Sequence, residues 1–168
     1  LDGIQVWNGG LPDALLLDGR DGHIKHRLPS RNLPLGILKR FKGMPQVEHY
    51  PIEQGDYLLL YSDGLIEARD MSGQTMWGED NLQRMIDQCP RPEDNFDRIV
   101  RALAEFTQGA EQSDDVSLVG VPCTPEVLAH APPEFKGTAS MAGGGRQDKA
   151  QIRNHSLWSI ELEGAEIA

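Results

Sequence analysis

The chain has 168 residues, a net charge of -10 and only 39% hydrophobic residues, so one modest core fits and part of the chain is expected to lie outside it. The acidic balance opposes binding to nucleic acid and to anionic membrane surfaces, and the short Lys39-Arg40-Phe41-Lys42 cluster reads as a solvated loop. No apolar run approaches the roughly 18 residues that a membrane span needs, and the two cysteines, Cys89 and Cys123, match neither a disulfide framework nor a zinc pattern. They read as reduced packing residues in a cytoplasmic protein.

The opening segment is strand-like. Ile4 to Trp7 runs into Asn8-Gly9-Gly10, a turn signal. Asp13 to Leu17 is a second short strand, and Asp18 to Gly22 is a hairpin loop returning through His23 to Leu28. The prolines and Gly36 of "PSRNLPLGIL" forbid a regular helix, so an irregular loop with buried leucines is expected. Val47, His49 and Ile52 resume an extended pattern. Tyr57 to Ser62 is apolar enough for a strand buried on both faces.

Beyond Ala68 the period changes. Leu82, Met85 and Ile86 have helical spacing, as do Phe96, Ile99, Val100, Leu103 and Phe106, with Gly109 as a stop. "SDDVSLVGV" returns to strand. From Pro122 the periodicity is lost, and a flexible linker is expected over 122–151. Alternation of Trp158, Ile160 and Leu162 with polar residues marks a terminal strand within 152–168, which would open a downstream domain.

Two acidic sites flank strands. Asp63 is expected to end one buried strand, and Asp114 and Asp115 to begin another. Strand ends hold side chains rigidly while leaving them in contact with solvent. Hard divalent cations take oxygen ligands and keep several waters, so carboxylates on adjacent strands suit Mg²⁺ or Mn²⁺. Two such ions held together acidify water enough for attack on a phosphate. Gly64 would allow close backbone approach. The bland alternative is that "SDG" is a turn and "SDD" a cap or solvated loop. Asn8 and Asn81 read as turn and helix-end residues, and Trp7 and Trp77 as packing anchors. The five histidines do not cluster; His23 and His26 fall on opposite faces of a strand.

"GDYLLLYSDGLIEARD", Gly55 to Asp70, resembles a signature of the metal-dependent type 2C serine/threonine protein phosphatases, in the bacterial branch that regulates sporulation and stress sigma factors. "VWNGGLPDALLL", "LPLGIL", "MWGEDNLQRMI" and "SDDVSLVGV" resemble further family segments in the family's order, over roughly Ile4 to Val121. The resemblance implies an α+β fold, an antiparallel β-sandwich flanked by helices, of which residues 1–121 would be the C-terminal portion. It implies Asp63 and Asp114 as metal ligands, Asp115 as a lesser candidate, Gly64 as the small residue beside the metal aspartate, and two Mn²⁺ or Mg²⁺ ions in a complete domain. Leu11 stands where the family usually has a histidine. The family's earlier aspartate-glycine motif, which bridges both metals, has no counterpart in this sequence. Neither "LDG" at Leu1 to Gly3 nor "DGH" at Asp21 to His23 matches its context.

The resemblance further implies dephosphorylation of a phosphoserine or phosphothreonine on a regulatory protein, an anti-sigma antagonist, in bacterial signal transduction. An upstream sensor or receiver (response-regulator) domain is part of that expectation, as is pairing with another copy to form a homodimer. The chain alone is expected to be inactive. The rivals are a non-catalytic phosphatase-like docking module and a β-rich binding domain without metal.

Overall fold

The computed structural model describes residues 3–34, 37, 47–125 and 127, and the backbone of 157–163. Strand β1 (Gly3–Gly9) leads through the Asn8-Gly9-Gly10 turn into β2 (Ala14–Leu17), and the hairpin closes with β3 (Ile24–Leu28). Then follow β4 (Glu48–Tyr50) and β5 (Tyr57–Tyr61), a single helical turn α1 (Asp63–Ile66), and the helices α2 (Gly78–Asp87) and α3 (Asn95–Thr107). Strand β6 (Leu118–Pro122) closes the body, and β7 (Leu157–Glu163) is the terminal strand.

The strands form two antiparallel sheets, one ordered β4-β1-β7 and the other β3-β2-β5-β6. Their alternation sorts the side chains. Ile4 and Val6 of one sheet meet Ala14, Leu16, Leu28, Leu58 and Leu60 of the other, with Ile52 and Cys123 completing the layer. The odd-numbered partners Leu15, Leu17, Tyr57, Leu59 and Tyr61 point to the opposite face, where Leu82 and Ile86 of α2 and Ile99 of α3 cover them together with Trp77. All five residues of β5 are therefore buried, as a strand covered on both faces requires. Burial of apolar area at roughly 25 cal/mol per Å² holds these layers together.

Several expectations need adjustment. Phe96 and Val100 of α3 are 38% and 46% exposed, because the helix presents to the sheet a stripe centred on Ile99 and those two positions fall beside it. Leu33 is 52% exposed, so it is not one of the buried leucines expected in its loop. The aspartate pair does not begin a strand directly, since β6 starts only at Leu118. "LPLGIL" lies largely outside the described residues, as does the expected linker over 122–151. Helix α3 ends where Gln108 turns left-handed, followed by Gly109 at φ 82°.

Both cysteines are free and buried. Burial pushes the Cys123 thiol up to about 11, with the charge of Asp56 adding to the shift. Only the thiolate alkylates. Native Cys123 is therefore expected to react with iodoacetamide at pH 8 at least about a hundredfold more slowly than in the urea-unfolded chain. Peptide mapping after a timed quench measures this, and rapid native labelling at Cys123 would contradict its placement between the sheets.

Candidate metal centre

Strand β5 delivers Ser62 and Asp63 at its C-terminal end. The Ser62 backbone N–H donates to the Ser117 carbonyl at 3.0 Å, the Ser62 hydroxyl donates to the Asp115 carbonyl at 3.0 Å, and the same hydroxyl accepts the Ser117 N–H at 2.9 Å. These three bonds clamp the segment after β5 to the segment before β6. Asp63 then opens α1, whose turn is closed by Leu65 N–H to the Ser62 carbonyl at 3.1 Å and Glu67 N–H to the Asp63 carbonyl at 2.9 Å. Asp63 is thus the first residue of a helical turn, a form of local structure that neither a plain strand end nor a simple β-turn describes.

Gly64 seals the contact. Its α-carbon packs so closely on the aspartate pair that a β-carbon there would stand 2.4 Å from the Asp115 carbonyl oxygen. Any side chain at this position would wedge the two acidic segments apart. Asp63 Oδ1 accepts the Gly64 N–H at 3.0 Å, and Asp114 Oδ1 accepts the Asp115 N–H at 2.7 Å. Each carboxylate is oriented through one oxygen, while both residues are solvent-exposed. Gln112 Nε2 donates to the Asp114 carbonyl at 2.7 Å and fixes the loop from the other side. Asp115 is engaged through its backbone, with its side chain also exposed.

The fold therefore brings Asp63, Gly64, Asp114 and Asp115 into one neighbourhood. The donor set suits a hard divalent cation, because its members are exposed carboxylates on a braced backbone. It is a partial set: among the described residues, no group of three His, Cys, Asp or Glu side chains comes together in a form able to hold a metal ion. Two of the described histidines are engaged away from this neighbourhood. His26 packs against the Tyr50 ring with centroids 5.5 Å apart, and His23 lies 3.9 Å from Asp87.

A second pair of sequence segments also meets. Asn8 is 2% exposed and donates through Nδ2 to the carbonyls of Pro12 at 3.0 Å and Leu28 at 3.4 Å. Gly10, at φ 87°, packs on Pro34 so tightly that a β-carbon would stand 2.2 Å from its ring. The asparagine-glycine turn and the proline segment thus support each other. Ser62 and Gln112 escaped the sequence reading. A serine directly before a helix-opening aspartate is a capping signal that could have drawn attention to Ser62, although here its hydroxyl serves the neighbouring strand segment.

The family model for Stage II sporulation protein E (SpoIIE) matches residues 2–123. The fold is similar to that of the SiaA-PP2C domain of Pseudomonas aeruginosa, at 19% identity and a TM-score of 0.53, covering 66% of this chain and 42% of that one. It is similar also to the PP2C phosphatase domain, with a fragment of the regulatory domain, of the cell fate determinant SpoIIE from Bacillus subtilis. That match has 21% identity and a TM-score of 0.52, over 68% of this chain and 32% of that one. The chain thus spans less than half the length of either solved structure. No curated protein matches it by sequence. The α+β arrangement of helices on antiparallel sheets is that of PP2C phosphatase domains, in partial form.

Proposed function

This chain belongs to the Stage II sporulation protein E (SpoIIE) family of PP2C-type phosphatase domains, and on that premise we propose that it forms part of a metal-dependent serine/threonine protein phosphatase. The observation that carries the reading is the close packing of Gly64 on the Asp115 carbonyl, which sets the Asp63 and Asp114 segments side by side. In this proposal Asp63 and Asp114 hold Mn²⁺ or Mg²⁺, with Asp115 as an additional donor. The cation supplies Lewis acidity toward water and phosphate oxygen. The chain's own residues supply position. Ser62 ties the two segments together, Gly64 permits their approach, and Gln112 braces the loop. PP2C-type domains are metal-dependent, which agrees with a carboxylate site.

The substrate we propose is a phosphoserine or phosphothreonine on a regulatory protein, an anti-sigma antagonist, within a bacterial signalling pathway. A sensor or receiver domain upstream, a cytoplasmic setting and pairing with a second copy are parts of the same proposal. So are the boundaries: 1–121 as the phosphatase-like portion, 122–151 as a linker and 152–168 as a terminal segment. None of the helices among the described residues is long and apolar enough to cross a membrane. A second reading, a non-catalytic phosphatase-like docking module, is favoured by the absence of a three-ligand cluster among the described residues.

Metal affinity and turnover separate the two. Two carboxylates leave most coordination positions to water, so this chain alone is expected to bind Mn²⁺ with a Kd above about 100 μM and to hydrolyse no phosphoprotein. A longer protein that carries these residues and a further bridging aspartate is expected to release phosphate from a phosphoserine protein with Mn²⁺ and to stop when the ion is chelated. Calorimetry and a phosphate-release assay measure both. Low-micromolar binding by the chain alone contradicts the incomplete donor set, and chelator-insensitive turnover contradicts the metal role.

A further inference from the structure

A groove of about 280 Å³ runs between α3 and the loop before β6, and Gly64, Arg69, Val100, Leu103, Asp114 and Val116 are among the residues that line it. Its character changes along its length. Val100 offers an exposed apolar surface, while Leu103 and Val116 pack onto the core beneath the helices. Gly64 and Asp114 belong to the acidic neighbourhood, and Asp114 also lines an adjoining cavity of about 410 Å³ formed with Gln112, Ser113 and Asp115. The groove is thus apolar toward α3 and opens onto the carboxylates at its other side. Arg69 is the only cation among the described residues lining either space. Its Nη1 donates to the Gly73 carbonyl at 2.8 Å, which anchors the guanidinium at the groove wall.

We infer that this groove is a docking subsite for the phosphorylated segment of the protein substrate: an apolar side chain beside the phosphorylated residue lies on Val100, Leu103 and Val116, and Arg69 faces an anionic group of the same segment. The choice of occupant rests on the phosphatase reading. Three features support it. The groove shares Gly64 and Asp114 with the acidic site, so a segment whose phosphate reaches Asp114 can lay its neighbouring residue along α3. The volume of about 280 Å³ has room for one or two aliphatic side chains and lies at the lower end of the range of small-molecule pockets, about 300–1,000 Å³. Arg69 gives positive charge to an otherwise acidic rim, where Glu111 and Asp114 would repel an anionic chain.

The test is a titration of the ¹⁵N-labelled chain in Mg²⁺ with a short phosphoserine peptide carrying leucine beside the phosphoserine. Saturable shifts are expected at Arg69, Leu103 and Val116, and the alanine counterpart of the peptide is expected to bind several-fold more weakly. Val100→Glu and Arg69→Gln should each weaken binding at least about tenfold. Val100 is an exposed helical position that tolerates glutamate, so folding is preserved. Arg84→Gln, the same charge change on the exposed face of α2, should leave binding unchanged. Shifts that ignore Val100→Glu, or match for the leucine and alanine peptides, overturn the inference. So do groove shifts produced by raising the concentration of the chain alone, which would make a second copy the occupant. Failure of the inference is distinct from failure of the phosphatase reading. Hydrolysis by a longer protein with kcat/KM indifferent to Val100→Glu removes the groove and keeps the phosphatase. Peptide binding at the groove without hydrolysis by that protein does the reverse.

Discussion

Asp63→Asn, placed in a longer protein that completes the metal site, is expected to lower phosphoprotein hydrolysis at least about a hundredfold, a loss of about 2.7 kcal/mol of transition-state stabilisation. The substitution is chosen for what it keeps. Asparagine retains an Oδ1 that accepts the Gly64 N–H, so the helical turn at 63–66 keeps its local bond. Only the charge goes, and with it the attraction for a divalent ion. Because Asp63 is exposed, the change in stability should stay within about 0.5 kcal/mol. Phosphate release and thermal unfolding, measured on the same preparation, separate a metal ligand from a turn residue. Unchanged hydrolysis would reduce Asp63 to its turn role. A matched loss of activity and stability would mean that the turn itself had collapsed. Asp114→Asn should behave likewise, since its Oδ1 bond to the Asp115 N–H can also be kept.

Asp56→Ala is expected to cost about 3–5 kcal/mol of folding stability and to lower Tm by roughly 10 °C or more, far from the acidic site. Asp56 is 1% exposed. Its Oδ1 accepts the Gly19 N–H at 3.2 Å, and its Oδ2 accepts both the Glu53 N–H and the Lys25 ammonium at 2.9 Å. One carboxylate therefore joins the β2–β3 hairpin to the turn before β5. Burial works against the Lys25 charge, yet the bond to Asp56 and the charges of Asp56, Glu53 and Asp18 outweigh it and hold the ammonium above the ordinary lysine range. Alanine at position 56 would leave two backbone donors without their acceptor and the largely buried Lys25 ammonium with only the more distant Glu53 carboxylate, at 3.6 Å. A raised folded-state value means that this stabilisation is complete below the unfolded lysine value and is lost as pH rises through the folded one. The wild-type protein should thus lose stability in the alkaline range, and Asp56→Ala should flatten that dependence. Lys25→Met combined with Asp56→Leu should recover part of the loss, because it removes the uncompensated charge while the Gly19 and Glu53 N–H groups stay without an acceptor. Denaturant melts that put Asp56→Ala within about 1 kcal/mol of wild type would show that solvent satisfies these groups.

Some of the architecture was legible because it depends on short-range periodicity. Strict apolar runs such as Tyr57 to Tyr61 and the helical spacing of Leu82, Met85 and Ile86 specify elements without knowledge of their partners. The hairpin from β2 to β3 followed from its aspartate-glycine loop. Phe96 and Val100 have the helical spacing read from the sequence yet lie beside the buried stripe, because periodicity does not say how much of an apolar face the sheet can cover; only the packing of the helices on the sheet centres burial on Ile99. Leu33 was misjudged for a related reason: outside a periodic element, hydrophobicity alone does not assign a side.

By itself the sequence determined the two acidic segments, the glycine beside the first of them, and an order of motifs that resembles a phosphatase family. It could not determine that these segments touch. That is a property of strand order: β5 and β6 are neighbours in the sheet although α1, α2 and α3 separate them along the chain, and their antiparallel register pairs Tyr61 with Leu118. This pairing leaves Ser62 opposite Ser117 and brings Gly64 against Asp115, so that a hydroxyl clamp and a missing β-carbon decide the approach of two carboxylates. The groove beside them was equally invisible in one dimension, because its walls come from α3, the segment after α1 and the loop before β6. Local chemistry is written residue by residue, whereas the distance between remote residues exists only once the sheet has folded.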